Sequence, residues 1–276
     1  MSQLNPTRRA FFARWHKPVI GMVHLLPLPG SEGYHGGGLR PIIDRALSEA
    51  RTLVAGGVDA ILIQNAGDLP PTPDGGPETI AYMSVIGALL RREIACPLGV
   101  NILANGSASA LAVAHAIGAS FVRIKVYIGA ALTSEGLVTG NAHGTLAFRR
   151  RIDAEEIAIA ADIYDRTSAP IGEMPIGVVA DLAFRYGRAD ALVVTGYSVE
   201  DALQRVREVK STVPMAIVLA GGGTSATNIG EFMQHCDGVI VGSSVKDTGR
   251  FVGTVDPGRL AMYMDAVATA RARMAV

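Results

Sequence analysis

Two short stretches near the carboxyl end decide how this chain folds: Met215-Ala-Ile-Val-Leu-Ala-Gly-Gly-Gly-Thr-Ser225 and Asp237-Gly-Val-Ile-Val-Gly-Ser-Ser244. Each is a strand-sized apolar run that ends in glycine. Thr227–His235, between them, carries apolar residues at helical spacing. A Val- and Ile-rich run without alternation reads as a strand buried on both faces. Strand, glycine loop, helix and strand in succession mean parallel strands joined by helical crossovers.

The same unit repeats toward the amino end. Pro18–His24, Val58–Asn65, Leu98–Leu103, Ser120–Val126, Ile157–Asp162 and Ala191–Thr195 are six further runs, which makes eight strands. Helical spacing recurs in Pro41–Ala55, Glu78–Glu93, Ser107–Ile117, Gly144–Arg151, Ile176–Arg185, Val199–Lys210 and Asp256–Met274. An open doubly wound sheet carries a GxGxxG turn after its first strand. Here that turn is His24-Leu-Leu-Pro-Leu-Pro-Gly30, with no such fingerprint. The expectation is an α/β fold, a closed (β/α)8 TIM barrel of the phosphate-binding type. It occupies residues 1–276 as one domain, with 1–16 as an N-terminal extension that forms a short helix closing one end.

Composition narrows the function classes. The chain has 276 residues, 49% hydrophobic and only 18% charged, with 32 glycines. Disorder needs low hydrophobicity and high net charge, so it is excluded. The glycines have no three-residue period, which excludes a collagen-like chain. No apolar stretch reaches the roughly 18 residues of a membrane span, and the start lacks a signal-length apolar run. Net charge is zero, so no nucleic-acid partner is expected. Two cysteines, Cys96 and Cys236, fit a reduced, cytoplasmic compartment. The outer helices, with runs such as Ile80–Leu90 and Leu111–Ile117, are apolar enough to predict a homo-oligomer.

Barrel enzymes keep their chemistry on the loops after the strands. Those loops are long here: Leu25–Arg40, Ala66–Pro77 and Tyr127–His143. The last has the length and glycines of a lid. The turns into strands, Gly56-Gly57 and Gly118-Ala119, are short. Gly222 and Gly223 after strand seven, with Gly242 and Ser243 after strand eight, offer bare backbone N–H groups to an anion, and Lys246 is near. Loops seven and eight are the usual phosphate seat of such barrels. The plainer reading is a pair of tight turns, with Thr224 or Ser225 capping a helix.

Polar residues end otherwise apolar strands: His24, Gln64 with Asn65, Asn101, Lys125, Asp162 and Thr195. Buried charges are costly unless paired, so Lys125 and Asp162 either form a salt bridge or work on a ligand. In the second case Lys125 is an electrophile or Schiff-base amine and Asp162 a general acid or base. His24 is a candidate proton shuttle and Asn101 a candidate assistant. Asn65, Asp68 and Thr195 are candidates to orient the ligand. Arg149-Arg150-Arg151 reads as a solvated helix face. No organic cofactor motif is present, and no His/Cys cluster supports a metal. His24, Asp162 and Asn101 have no spacing that argues for a divalent ion. The GxSxG elbow of serine hydrolases is missing.

Taken together, these residues resemble the BtpA/SgcQ family. Lys17-Pro-Val-Ile-Gly-Met-Val-His-Leu-Leu-Pro-Leu-Pro-Gly-Ser31 is the most specific part of the likeness. Gly56-Gly-Val-Asp-Ala60, Asn65 with Gly67-Asp68, and Gly99-Val-Asn101 follow in order. So do Gly136 with Gly140-Asn-Ala-His143, Ala189-Asp-Ala-Leu-Val-Val-Thr-Gly196, and Asp237-Gly-Val-Ile-Val-Gly-Ser243. The resemblance implies a TIM barrel. It also implies kinship with a protein tied to photosystem I biogenesis and with members placed among sugar-metabolism functions, without one reaction. The family pattern has Glu where Gln64 stands, Asn where Lys125 stands, and Lys and His after the acid of strand five. This chain has Ile163-Tyr-Asp-Arg-Thr167 after Asp162 instead.

The leading expectation is an enzyme of isomerase or lyase type acting on a small phosphorylated metabolite, a sugar phosphate or nucleotide-like compound. Two alternatives are a non-catalytic assembly or stability factor and a phosphometabolite sensor.

Overall fold

The computed structural model describes residues 8, 11, 12, 14, 16–172 and 174–274. Most of the expected extension 1–16 lies outside them. Eight parallel strands close into a barrel in the order β1 (Val19–His24), β11 (Gly238–Val241), β10 (Val218–Ala220), β9 (Ala191–Val194), β7 (Ala158–Ile163), β4 (Phe121–Ile124), β3 (Leu98–Asn101) and β2 (Ala60–Gln64). Every expected strand is present, trimmed by a residue or more in most cases. The helices follow the same pattern. Arg40–Ala55 and Pro77–Glu93 each start on a proline in the first turn, where its missing N–H costs nothing.

Side-chain period two explains what the barrel holds. Ile20 and Met22, Ala60 and Leu62, Phe121, Ala158 and Ala160, Ala191 and Val193, Leu219 and Ile240 form one buried cluster inside it. The intervening residues, such as Val19, Ile61, Val122 and Ile159, belong to the larger core between strands and helices. Gly99 takes the inner position on β3, where a Cβ would run into the Phe121 ring. At the amino ends of the strands, Phe12 joins the inner cluster and packs edge-on against Phe121, with centroids 5.4 Å apart. The described residues of the extension thus reach the bottom of the barrel.

The outer helical runs are largely buried within the chain. Ile86, Leu90, Leu111, Val113 and Ile117 all belong to the outer core. One feature lies beyond the expected pattern. Within the long fourth loop, β5 (Ala130–Thr133) and β6 (Gly136–Thr139) form an antiparallel hairpin, and β8 (Ala169–Pro170) pairs with β5. The loop expected as a lid therefore supplies two strands of a three-stranded sheet beside the barrel mouth.

Candidate functional site

Continuing the inner parity upward gives the mouth. The residues after the apolar layers are His24, Gln64, Asn101, Arg123 with Lys125, Asp162, Thr195, Gly221 and Gly242. A cavity of about 720 Å³ opens there, lined among others by His24, Gln64, Arg123, Lys125, Arg166 and Thr195, and by both glycine loops. Gly222, Gly223, Gly242 and Ser243 all line it. The β10 loop is braced from behind. Ser225 N–H donates to Asn228 Oδ1 at 2.7 Å, and Asn228 Nδ2 donates to the Gly223 carbonyl at 2.9 Å. Thr224 is buried and accepts from the Tyr263 hydroxyl at 2.9 Å, so it anchors the loop rather than capping a helix.

Arg123 is the charged residue of the mouth that the sequence reading missed. It sits mid-strand on β4 with its side chain inward, and its Nε and Nη2 each donate to one Asp162 oxygen at 2.8 Å. A bidentate guanidinium–carboxylate pair is the strong form of this contact. The partner of Asp162 is therefore Arg123, not Lys125. Lys125 instead donates to Thr167 Oγ1 at 2.8 Å and lies 3.5 Å from Asp165 Oδ1. Asp165 also lies 3.9 Å from Arg123 Nη2. The signal for Arg123 was available, because Phe121, Arg123 and Lys125 share one parity.

The chain reaches Asp165 through a sharp turn. Tyr164 has φ +55°, in the left-handed region that a bulky residue rarely adopts. Such strain concentrates at functional sites. Burial pushes the Asp162 carboxyl up to about 6, against the pull of Arg123. Burial also opposes ionisation of Asp165. There Lys125, Arg123 and hydrogen bonds from Thr167 outweigh it and hold the carboxyl below its ordinary value. Neighbouring carboxyls with separated pKa values are how a site assigns an acid and a base.

His24 is pushed down to about 3 by burial, then by Lys246 and Arg123. The ring is therefore neutral near pH 7. Its Nδ1 and the Ser244 hydroxyl are buried without a hydrogen-bond partner, and both residues line the cavity. Buried polar atoms are rarely left unmatched, so these two stand out in the cavity wall. The Gly242 backbone passes close by, and a Cβ there would stand 2.9 Å from His24 Cε1.

Most of the other expected residues make structural contacts. Asn101 is buried, accepts from Gln64 Nε2 and donates to the Arg123 carbonyl at 2.9 Å. It positions its neighbours and does not line the cavity. Asn65 has the outward parity. Its Nδ2 donates to Asp68 at 3.0 Å, its Oδ1 accepts from Leu103 N–H, and Asp68 accepts from Leu28 N–H at 2.8 Å. Asn65 and Asp68 thus fasten two loops instead of orienting a ligand. Thr195 faces the cavity and accepts from Arg166 N–H at 2.9 Å. Lys246 turns away from the glycine loops and is fully buried against Glu49 at 2.9 Å. Arg149 is not solvated either. It is buried and reaches Asp190, whereas Arg150 remains exposed. Among the described residues, no three His, Cys, Asp or Glu side chains are grouped to hold a metal ion. No described helix is long and apolar enough to cross a membrane.

Arg166 stands where the family pattern differs. Its guanidinium lies over Gly222, within 3.6–3.8 Å of where a Cβ would be. It carries a positive charge to the glycine loop after β10 from the segment after β7, two strands away in the barrel.

Known structures share this barrel. N-(5'-phosphoribosyl)anthranilate isomerase from Pyrococcus furiosus superimposes with TM-score 0.56 at 13% identity, covering 92% of this chain and 100% of that one. Tryptophan synthase from M. tuberculosis gives TM-score 0.57 at 17% identity, covering 98% and 99%. Identities this low speak for the fold alone. In sequence, the photosystem I biogenesis protein BtpA of Synechocystis is 37% identical over 260 residues, 92% of this chain and 88% of that protein. The BtpA family model matches residues 15–269. On that match and that identity, the chain belongs to the BtpA family.

Proposed function

We propose that the protein is a barrel enzyme acting on a small phosphorylated metabolite, by isomerase or lyase chemistry. The observation that carries this reading is the convergence on one side of the mouth. There, two glycine loops, Arg166, His24 and Ser244 line one cavity, and the Arg166 guanidinium lies over Gly222. Bare N–H groups at Gly222, Gly223, Gly242 and Ser243 would hold phosphate oxygens, and Arg166 would neutralise their charge. An anion near His24 would raise its pKa and restore a proton-transfer role. On the opposite side, Lys125 and Asp165 would serve as electrophile and base, with Asp162 as acid. Arg123 would hold Asp162 in place. Thr195 and Gln64 would orient the ligand body.

The test is thermal unfolding with sugar phosphates beside the same sugars without phosphate. A specific binder at a hundredfold excess over Kd stabilises by about 2.7 kcal/mol. Melting that rises with the phosphorylated compounds only, and rises less in Arg166→Ala, is expected. Indifference to every phosphorylated compound overturns the reading.

A second reading, an assembly factor, is favoured by the name of the Synechocystis relative and by the exposed Leu132 and Leu137 on the hairpin. It predicts that Leu132→Ser with Leu137→Ser abolishes function in cells while Asp162→Asn does not. A homo-oligomer is proposed as well, and light scattering at micromolar concentration tests it.

A further inference from the structure

We infer that the ligand of the mouth carries an apolar group, seated in a second cavity that shares a wall with the first. This rests on the phosphate reading above and adds the chemistry of the rest of the molecule. The second cavity, about 420 Å³, lies between the hairpin sheet and the segment after β8. Its size falls in the range of ligand pockets, and packed interiors hold few voids larger than a water. Val126, Ile128, Ala131, Ala142, Val179 and Leu182 line it. Ile171, Met174 and Tyr186 line it too and are exposed, so apolar surface continues to its edge.

Three observations join this cavity to the site. Lys125 and Asp165 line both cavities, so the acid–base cluster is the partition between them. Asp162 lines the apolar cavity although its oxygens are tied to Arg123 in the mouth. One wall is a π-helical turn, Leu182–Tyr186, and such insertions are frequent at functional sites. Charge decides what enters. Both carboxylates in the lining are already paired, Asp162 with Arg123 and Asp165 with Lys125, so no unpaired charge awaits a second ionic group there. An alkyl or aromatic group fits. The ligand is then a phosphate ester with its charged end under Arg166 and the glycine loops, its apolar end under the hairpin, and its reacting centre between them at Lys125.

A series of n-alkyl phosphates, ethyl to octyl, measured by titration calorimetry against inorganic phosphate, tests this. Affinity should rise about fourfold per methylene once the chain reaches the cavity. Ala131→Phe and Ala142→Phe, each filling the cavity, should bind inorganic phosphate as the wild type does and lose the gain with chain length. Bound phosphate with no gain from the chain, or a gain that survives both substitutions, overturns this inference alone. If inorganic phosphate itself fails to bind, the phosphate reading falls and this inference with it.

Discussion

The barrel has a buried arginine–aspartate cluster at each end, and the two are built for different purposes. At the bottom, Asp190 is fully buried. It accepts from Arg8 at 3.1 Å, from Arg149 at 3.4 Å and from Ile159 N–H at 2.9 Å. The arginines also bond the carbonyls of Glu155 and Ile157. At the top, Arg123 and Asp162 pair as tightly, but the cluster extends through Asp165 to Lys125 and borders two cavities. The bottom cluster ties strand starts, a helix and the N-terminal segment together. The top cluster keeps charge beside open space. Barrels divide stability from activity between their two ends in this way.

The sharpest way to break that contrast is Asp190→Ala. It strands two guanidinium groups and the Ile159 amide in the interior, which costs about 3–5 kcal/mol for a buried pair. Urea unfolding should show a loss of that size, with phosphate affinity unchanged at low denaturant. A loss under about 1 kcal/mol would mean that the bottom cluster is not structural.

Acid should distinguish the ends next. The folded pKa of His24 is about 3 against an ordinary 6.5. Between those values the unfolded chain takes up a proton that the folded one refuses, so stability falls as pH drops through the window. By pH 4 that amounts to ~3 kcal/mol. Asp162 acts in the opposite sense. Its folded pKa of about 6 exceeds the ordinary 3.8, so the folded state binds the extra proton and gains stability as pH falls from about 6 to 3.8. His24→Gln should therefore stand up better than the wild type at pH 4 relative to pH 7, read from urea midpoints. An identical pH response in both would remove His24 from the acid sensitivity.

The same two ends show how much of the molecule its sequence discloses. Eight strands were legible because burial on both faces forces long aliphatic runs, and their period-two parity carries the inner polar ring with it. That parity contains Arg123 and excludes Asn65, yet a charge inside a strand looks like a break in the run and a polar strand end looks like a ligand. Partners were not legible. Lys246 meets Glu49 across 197 positions, and Arg8 meets Asp190 across 182. The hairpin was hidden for another reason. Its strands are four residues each and half-exposed, and a two-residue strand far along the chain completes them.

A smaller effect sharpens the contrast inside the barrel. Gly99→Ala forces a methyl into the Phe121 ring below the mouth. Overpacking of this kind costs about 1–3 kcal/mol, so the melting temperature should fall while ligand affinity stays.

Arg166→Ala should have the smallest effect on the fold and a clear one on binding. The side chain is exposed, its guanidinium has no ion pair among the described residues, and only its backbone N–H is engaged, with Thr195. Surface substitutions of this type stay within about 0.5 kcal/mol. A charge-assisted contact to a phosphate contributes about 1.5–3 kcal/mol, so inorganic phosphate should bind at least tenfold more weakly, and more so at low salt. Arg166→Lys should restore part of the affinity, because an ammonium keeps the charge and loses the planar fork. Unchanged phosphate affinity in Arg166→Ala would leave the glycine loops to hold the anion by backbone alone. The departure of this chain from its family pattern at that position would then carry no consequence for the site.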